Sequence, residues 1–225
     1  MRKRLPFTSV LLLTAVASTV TAQSSRPGQG ATIYQDDDGW GTTFRTWAPH
    51  ASAAYVSGTF NNWATNTHPL VSEGDGFWSM DAAGVWAGHE YQFVMLSSGN
   101  TLWRNDPHAR KLTSSNGKSI IVNPDQFDWQ HDMVTPNRNE LVIYEMHAGT
   151  FGVVDDGAFP GNFAGIQAHF DHLESLGINA IELLPVNEFA GDQSWGYNPG
   201  HIFAVESYYG GPDQLKQLID ACHER

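Results

Sequence analysis

The chain has 225 residues and a formal net charge of −12, from 24 acidic against 12 basic side chains. That balance lacks the basic footprint that phosphate backbones or anionic lipid require, so nucleic acid is excluded as a partner, while a neutral polymer such as a glucan is compatible. Cys222 is the single cysteine, which excludes an intrachain disulfide in any compartment.

The chain opens with the basic run Met1-Arg-Lys-Arg. Leu11 to Val20 is apolar and small, and Val20-Thr21-Ala22 closes on a small-x-small pattern. This is the layout of a secretory signal peptide over residues 1–22, with cleavage expected after Ala22 and a secreted or periplasmic product. The apolar stretch is shorter than the ~20 residues a span requires, so no membrane contact is expected after cleavage. Cleavage removes Arg2, Lys3 and Arg4 and no acid, which takes the formal charge to −15.

Residues 23–135 change to short β-rich runs punctuated by Gly, Asn, Asp and Pro, clearest at 42–47, 53–59, 76–81, 90–96 and 119–122. That rhythm predicts an all-β immunoglobulin-like sandwich. Asp36-Asp37-Asp38-Gly39 reads as a hairpin turn, because a calcium loop needs more oxygen ligands at alternating spacing. Among the tryptophans, Trp40, Trp47, Trp78 and Trp86 are assigned to the core or to a domain interface. Residues 126–139 form a polar connector in which Phe127 and Trp129 are expected to be pinned to one neighbour.

Residues 136–225 carry a different grammar. Leu141 to His147 and Ile178 to Leu184 are near-continuous apolar runs of strand length, expected to be buried on both faces. Between them, Asn162 can cap a helix with Ile166, Phe170, Leu173 and Leu176 on one face, and Gly177 supplies a left-handed stop. A second helix is expected after Gly210-Gly211, with Pro212 at its first position and Leu215, Leu218, Ile219 and Cys222 on its apolar face. Cys222 is read as a core cysteine, since nothing places a histidine beside it. His169 and His172 share a helix face without a third ligand at a recognisable spacing, so no metal is expected and the pair is read as solvated.

The segments IYEMHAGTF, LGINAIELLPVNEF and WGYNPGHIFAVESYYGGPDQLKQLIDACHER resemble the opening of the (β/α)8 barrel in the α-amylase superfamily, closest in look to glucan branching enzymes and maltooligosyltrehalose trehalohydrolases. FRTWAPHASAAYVSGTFNNW, GFWSMD, YQFVM and WRNDP resemble the glycogen-binding sandwich that precedes the barrel in branching and debranching enzymes. The resemblance implies an immunoglobulin-like sandwich followed by an incomplete TIM-type barrel, about the first two βα units. A full barrel takes ~250 residues.

It also implies site residues. Trp63 and Trp103 match the two tryptophans that stack sugars in binding members of the sandwich family, and for this pair a binding role and a structural one both stand. Gln92 departs from the lysine that binding members carry, and the asparagine pairing expected near Asn116 to Ser119 is not reproduced. Tyr197 matches the tyrosine that stacks on the sugar at the cleavage subsite. Asn198 lies in the same loop, His147 at a strand end facing the same side, and Trp195 either borders the pocket or braces the loop. Glu145 and Glu182 lie within strands, whereas barrel catalytic groups project from strand ends, so both are read as structural. The superfamily's catalytic carboxylates lie beyond Arg225, so a retaining reaction is implied for the family and no activity for this chain alone. The implied partner is an α-glucan such as glycogen, starch or a maltooligosaccharide, and no cofactor is implied. The alternative is a nonenzymatic α-glucan-binding protein with a vestigial barrel.

Overall fold

The computed structural model describes residues 22–37, 39–133, 135–153, 160–191 and 193–225. The expected signal peptide lies outside the described residues except for Ala22. Eight strands form the first unit: β1 (Gly30–Asp36), β2 (Gly39–Trp47), β3 (Ala53–Gly58), β4 (Pro69–Gly74), β5 (Phe77–Ala83), β6 (Glu90–Ser97), β7 (Asn100–Arg104) and β8 (Ser119–Ile120). Their hydrogen-bonded path runs β1-β2-β5-β4-β3-β6-β7, with β8 also on β6. Strand β4 joins the two layers: Pro69 and Leu70 pair with β3, while Val71 to Gly74 pair with β5.

The layers close on one apolar core. Phe44, Met80 and Ala82 from one meet Val56, Tyr91 and Phe93 from the other, with Phe44 at 5.2 Å from Tyr91 and 6.5 Å from Phe93 between ring centroids. Each such side chain taken fully from water contributes about 1.5–3 kcal/mol. The opposite face of β2 is also covered. The Arg45 guanidinium donates to the carbonyls of Ser24, Arg26 and Gly28 at 3.1, 2.7 and 2.8 Å and pairs with Glu73 at 2.9 Å, so residues 24–28 are strapped along the sandwich. Asp36 is the register partner of Gly39 across the β1–β2 turn, as the hairpin reading of Asp36 to Gly39 requires; Asp38 lies outside the described residues.

Two tryptophan assignments are corrected. Trp40 and Trp47, expected in the core or at a domain interface, are exposed. Both stand at ends of β2, beyond the stretch that the facing layer and the strap cover. Trp47 instead donates its indole N–H to the Asp75 carbonyl at 3.1 Å. Trp78 packs against the core and donates to Ala48, and Trp86 is half-buried against Trp40.

The second unit opens with β9 (Ile143–Met146) and β10 (Ala180–Leu183), parallel and in register from Ile143↔Ala180 to Met146↔Leu183. Between them lie α1 (Ala148–Phe151), α2 (Phe163–Gln167) and α3 (Phe170–Ser175). A hairpin of β11 (Asn187–Phe189) and β12 (Pro199–Val205) follows, then α4 (Gly211–Glu224). The two parallel strands are not buried on both faces as the apolar runs suggested. Tyr144, Met146, Ile181 and Leu183 pack with α2, α3 and α4, whereas Ile143, Glu145 and Glu182 on the other face are exposed.

The single predicted helix is in fact two. Asn162 does cap it, accepting the Gly165 N–H at 2.9 Å, and Gly177 at φ +76° does end it. The ladder breaks at Ala168 and His169, where the His169 ring bonds the Gly165 carbonyl at 2.7 Å. Ile166, Phe170 and Leu173 are buried as expected on either side of the break, whereas Leu176, expected in the core, is the capping residue at the end of α3 and is exposed. His169 is half-buried against Phe151 while His172 is exposed, so the two do not form a common solvated face. Helix α4 begins at Gly211, one residue before the expected Pro212; Leu218 is buried and Cys222 packs at the core margin, where burial raises its thiol pKa. Among the described residues no helix is long and apolar enough to cross a membrane.

The connector fastens the units together. Gln130 and His131 N–H groups donate to Asp220 on α4 at 2.9 and 3.1 Å, Lys216 donates to the Pro124 carbonyl at 2.7 Å, and Trp129 stacks on His223. Lys111 pairs with Asp213 at 2.6 Å, and the His108 ring stacks on Phe203. Phe127 and Trp129 are therefore pinned, and their neighbour is α4.

Candidate functional site

Two surfaces hold the residues singled out from the sequence. The first is the outer face of β3, β6 and β7. Trp103 on β7 lies opposite Val94, on the face away from the core residues Tyr91 and Phe93. Trp63 reaches the same place from the loop after β3. That loop is built by Asn61, whose side-chain carbonyl accepts the Gly58 N–H at 2.9 Å and whose amide N–H group donates to Val56 and Ala64. The carbonyl of Gly58 accepts the Trp63 N–H at 2.9 Å. Asn62 and Trp63 are both left-handed, at φ +53° and +60°, a conformation that non-glycine residues hold only when their surroundings impose it.

The result is convergence of two indoles 40 positions apart, with centroids 6.4 Å apart and planes at 44°. Trp103 keeps 36% of its surface open, and Trp63 is half-buried. The ammonium of Lys118 sits 4.9 Å from the Trp63 ring centre, a cation–π contact. Gln92 donates to the Asn105 side chain at 2.9 Å, and Asn105 in turn donates to Gly117 at 2.6 Å, fixing the turn that carries Lys118. Lys118 and Asn105 were not picked out from the sequence. Neither has a local pattern that announces it; only the pairing of β6, β7 and β8 brings them beside the tryptophans.

The second surface lies at the C-terminal ends of β9 and β10. A cleft of about 490 Å³ opens between Tyr144, Glu145, His147, Thr150, Leu184 and Trp195. His147 is nearly buried: its Nε2 is 2.8 Å from both the Ser194 carbonyl and the Tyr209 hydroxyl, and its ring lies 5.0 Å from Trp195. Burial pushes the Tyr209 hydroxyl up to about 12, helped by the charge of Glu206. Trp195, Tyr197 and Asn198 share the β11–β12 loop. Its turn requires Gly196 at φ +85°, where a Cβ would lie 2.3 Å from the Pro185 carbonyl. The structure therefore brings His147 and Trp195 together, while Tyr197, 72% exposed, stands away from the cleft wall and Asn198 bonds Ser194.

At the base of this hairpin is a pair of carboxylates that sequence reading did not single out. Glu188 and Glu206 are 1% and 0% exposed. Glu188 accepts the Ser207 N–H and hydroxyl at 2.9 and 3.1 Å; Glu206 accepts the N–H groups of Phe189 and Tyr208 at 3.1 and 3.0 Å. Burial, and then Glu188, push Glu206 up to about 7, while burial also raises Glu188. Glu145 and Glu182, by contrast, are register partners on the exposed face of β9 and β10. Among the described residues no group of three or more His, Cys, Asp or Glu side chains converges to hold a metal ion.

Residues 29–109 match carbohydrate-binding module 48 (isoamylase N-terminal domain), and residues 108–225 match alpha amylase, catalytic domain. The class is that of carbohydrate-active proteins in which a binding module leads into a catalytic barrel. The second match takes in just over half of the chain, and the chain belongs to the α-amylase family. The two matches meet at 108–109, ahead of β8, which still pairs with β6, so the sandwich runs on past that boundary.

The chain is 33% identical over 197 residues to the 1,4-alpha-glucan branching enzyme GlgB of Picrophilus torridus, covering 87% of this chain and 28% of that protein. It is 32% identical over 205 residues to the GlgB of Desulfitobacterium hafniense, covering 87% and 32%. Among solved structures, pullulanase type I of Bacillus subtilis, complexed with maltose, aligns with a TM-score of 0.68 at 27% identity, covering 89% of this chain and 32% of that one. The chain thus spans under a third of the length of these curated relatives.

Proposed function

We propose that this chain is the N-terminal part of a secreted α-glucan-active enzyme, a branching transferase or hydrolase, and that its sandwich holds glucan on Trp63 and Trp103. The observation that carries the proposal is the convergence of those two indoles on one outer face. The apolar side of a glucose ring packs on a flat aromatic, while neighbouring polar groups take its hydroxyls. Lys118, Asn105 and Gln92 are placed to do so. The branching enzymes and the maltose-bound pullulanase to which the chain is similar support the choice of α-glucan.

Binding without turnover is the expectation for these 225 residues. Retaining glycoside chemistry needs two accessible carboxyl groups about 5–5.5 Å apart. Glu145 and Glu182 are exposed register partners but lie within β9 and β10, short of the strand ends from which barrel catalytic groups project, and Glu188 and Glu206 are sealed from solvent and committed to backbone N–H groups. The export reading rests on the basic run Met1 to Arg4, the apolar stretch Leu11 to Val20 and the small-x-small close at Ala22.

Calorimetric titration with maltoheptaose tests the binding reading. Trp63→Ala and Trp103→Ala should each weaken affinity by about tenfold, the scale of one lost stacking contact. Equal affinity in all three chains would remove the proposal. The same samples should yield no branched or shortened product. N-terminal sequencing of exported protein should begin at Gln23, and a start at Met1 would overturn export.

A further inference from the structure

The turn that carries Lys118 has a second attachment. Residues 113–118 are closed on themselves: the Thr113 N–H donates to the Lys118 carbonyl at 3.0 Å, the Lys118 N–H to the Thr113 hydroxyl at 2.9 Å, and the Gly117 N–H to the Ser114 carbonyl at 2.8 Å. A Cβ at Gly117 would overlap the Thr113 hydroxyl, so the turn has no slack at that point. A loop closed this tightly moves as one piece. At its end the Lys118 ammonium lies over the Trp63 ring. At its middle the Ser115 hydroxyl donates to the Gly191 carbonyl at 2.8 Å, in the β11–β12 loop that also carries Trp195, Tyr197 and Asn198.

That bond is the last of four contacts between one stretch of the sandwich and the hairpin. His108 stacks on Phe203 at 5.2 Å, the Arg110 carbonyl accepts the Val205 N–H at 3.3 Å, and Leu112 packs with Ala109 and Ala204. These three seat β12 on residues 108–112; the fourth, a single exposed hydrogen bond, ties the loop to the turn. Further along the same loop the Ser194 carbonyl is 2.8 Å from the His147 ring. The loop therefore stands between the turn and the His147 cleft.

A cation over an indole holds a place that a stacking sugar needs, and sugar hydroxyls solvate an ammonium better than a ring face does. Among the described residues the Lys118 ammonium is held by the indole and by no carboxylate, so that exchange of partners meets no competing charge. The turn has two arrangements, ammonium on the ring or ammonium on the sugar, and a ligand that pins Lys118 in the second restrains everything fastened to the turn. We propose that a glucan on Trp63 and Trp103 acts as an effector of the β11–β12 loop through residues 113–118, with Ser115 as the positioning residue that passes the restraint to Gly191 and on to Trp195. The choice of ligand rests on the α-glucan reading above; the route does not.

Amide hydrogen exchange on the 225-residue chain, with and without saturating maltoheptaose, tests the coupling. In the unmodified chain the ligand should slow exchange by about fivefold both in residues 114–118 and in residues 194–198. Ser115→Ala, which removes one hydroxyl at a half-buried position, should still saturate with maltoheptaose and keep the slowing in 114–118 while losing it in 194–198. Ser115→Thr, which keeps the hydroxyl, should restore it. Slowing in 114–118 of the unmodified chain with none in 194–198 overturns the coupling and leaves the glucan reading standing, as does slowing in 194–198 that survives in Ser115→Ala. Slowing in 194–198 that persists in Trp63→Ala/Trp103→Ala means that the sugar reaches the loop directly, and also overturns the coupling. No binding to the unmodified chain overturns both.

Discussion

At the scale of single residues, the most constrained group is Asp106. It is 0% exposed, accepts the Tyr91 hydroxyl at 2.5 Å, the His108 N–H at 2.8 Å and the Ala31 N–H at 3.2 Å, and so ties β6, β1 and the segment leading to β8 to one carboxylate. Burial raises its pKa against the pull of these bonds. Tyr91→Phe removes the shortest of them and leaves the carboxylate short of a partner, at an expected cost of about 1–3 kcal/mol. Chemical denaturation should show that loss as a lower midpoint with an unchanged slope. A midpoint equal to that of the unmodified chain would mean that the hydroxyl contributes nothing net. Lys118 makes a second test: Lys118→Met should lower affinity for maltoheptaose less than Trp63→Ala, because it removes one polar neighbour and keeps the stacking face.

At the scale of elements, Glu206 at the base of the β11–β12 hairpin gives stability a dependence on pH. Glu206 sits at about 7 in the folded chain against an ordinary 4.5, so between those values the folded state keeps a proton that the unfolded state has lost. Its contribution to stability is fully present below about 4.5 and is lost as pH rises through about 7. Melting temperature should therefore fall from pH 5 to pH 8, and the fall should be shallower in Glu206→Gln, which cannot ionise. Parallel curves would contradict the assignment. Helix α2 offers a simpler case: Asn162→Ala removes the cap on Gly165 and should cost about 1 kcal/mol.

Legibility followed from how local each signal was. Asn162 and Gly177 were readable because a cap and a left-handed stop depend on adjacent residues alone. The break at His169 was not, since it comes from a side chain turning back on the Gly165 carbonyl. The hairpin is hard to read because β11 is three residues long with the buried Glu188 at its middle, while Ile202 on β12 is exposed, so the apolar alternation that marks a strand is missing. Residue type assigns Trp40 and Trp47 to the core or to a domain interface, and their places at the ends of β2 put them in water. The convergence of Trp63 with Trp103 was expected only through resemblance; the approach of Lys118 needed the strand register.

At the scale of the whole molecule, one face of the parallel pair is open: Val142 and Ile143 are exposed beside Glu145 and Glu182, and Ile202 is exposed on β12. Open strand edges with apolar residues invite association. Sedimentation of this chain should show oligomers that grow with concentration, and Ile143→Lys should shift the distribution towards monomer. A monodisperse monomer at every concentration would contradict that expectation.

The bonds from Gln130, His131 and Lys216 across to α4 have a kinetic corollary. These bonds oppose a swing of the sandwich against α4, which favours a constant separation between the outer tryptophans and the His147 cleft. In a longer chain that carries the reaction, substrates too short to reach both surfaces should gain no tethering from the sandwich. Those long enough should gain all at once, giving a threshold in chain length in place of a gradual rise.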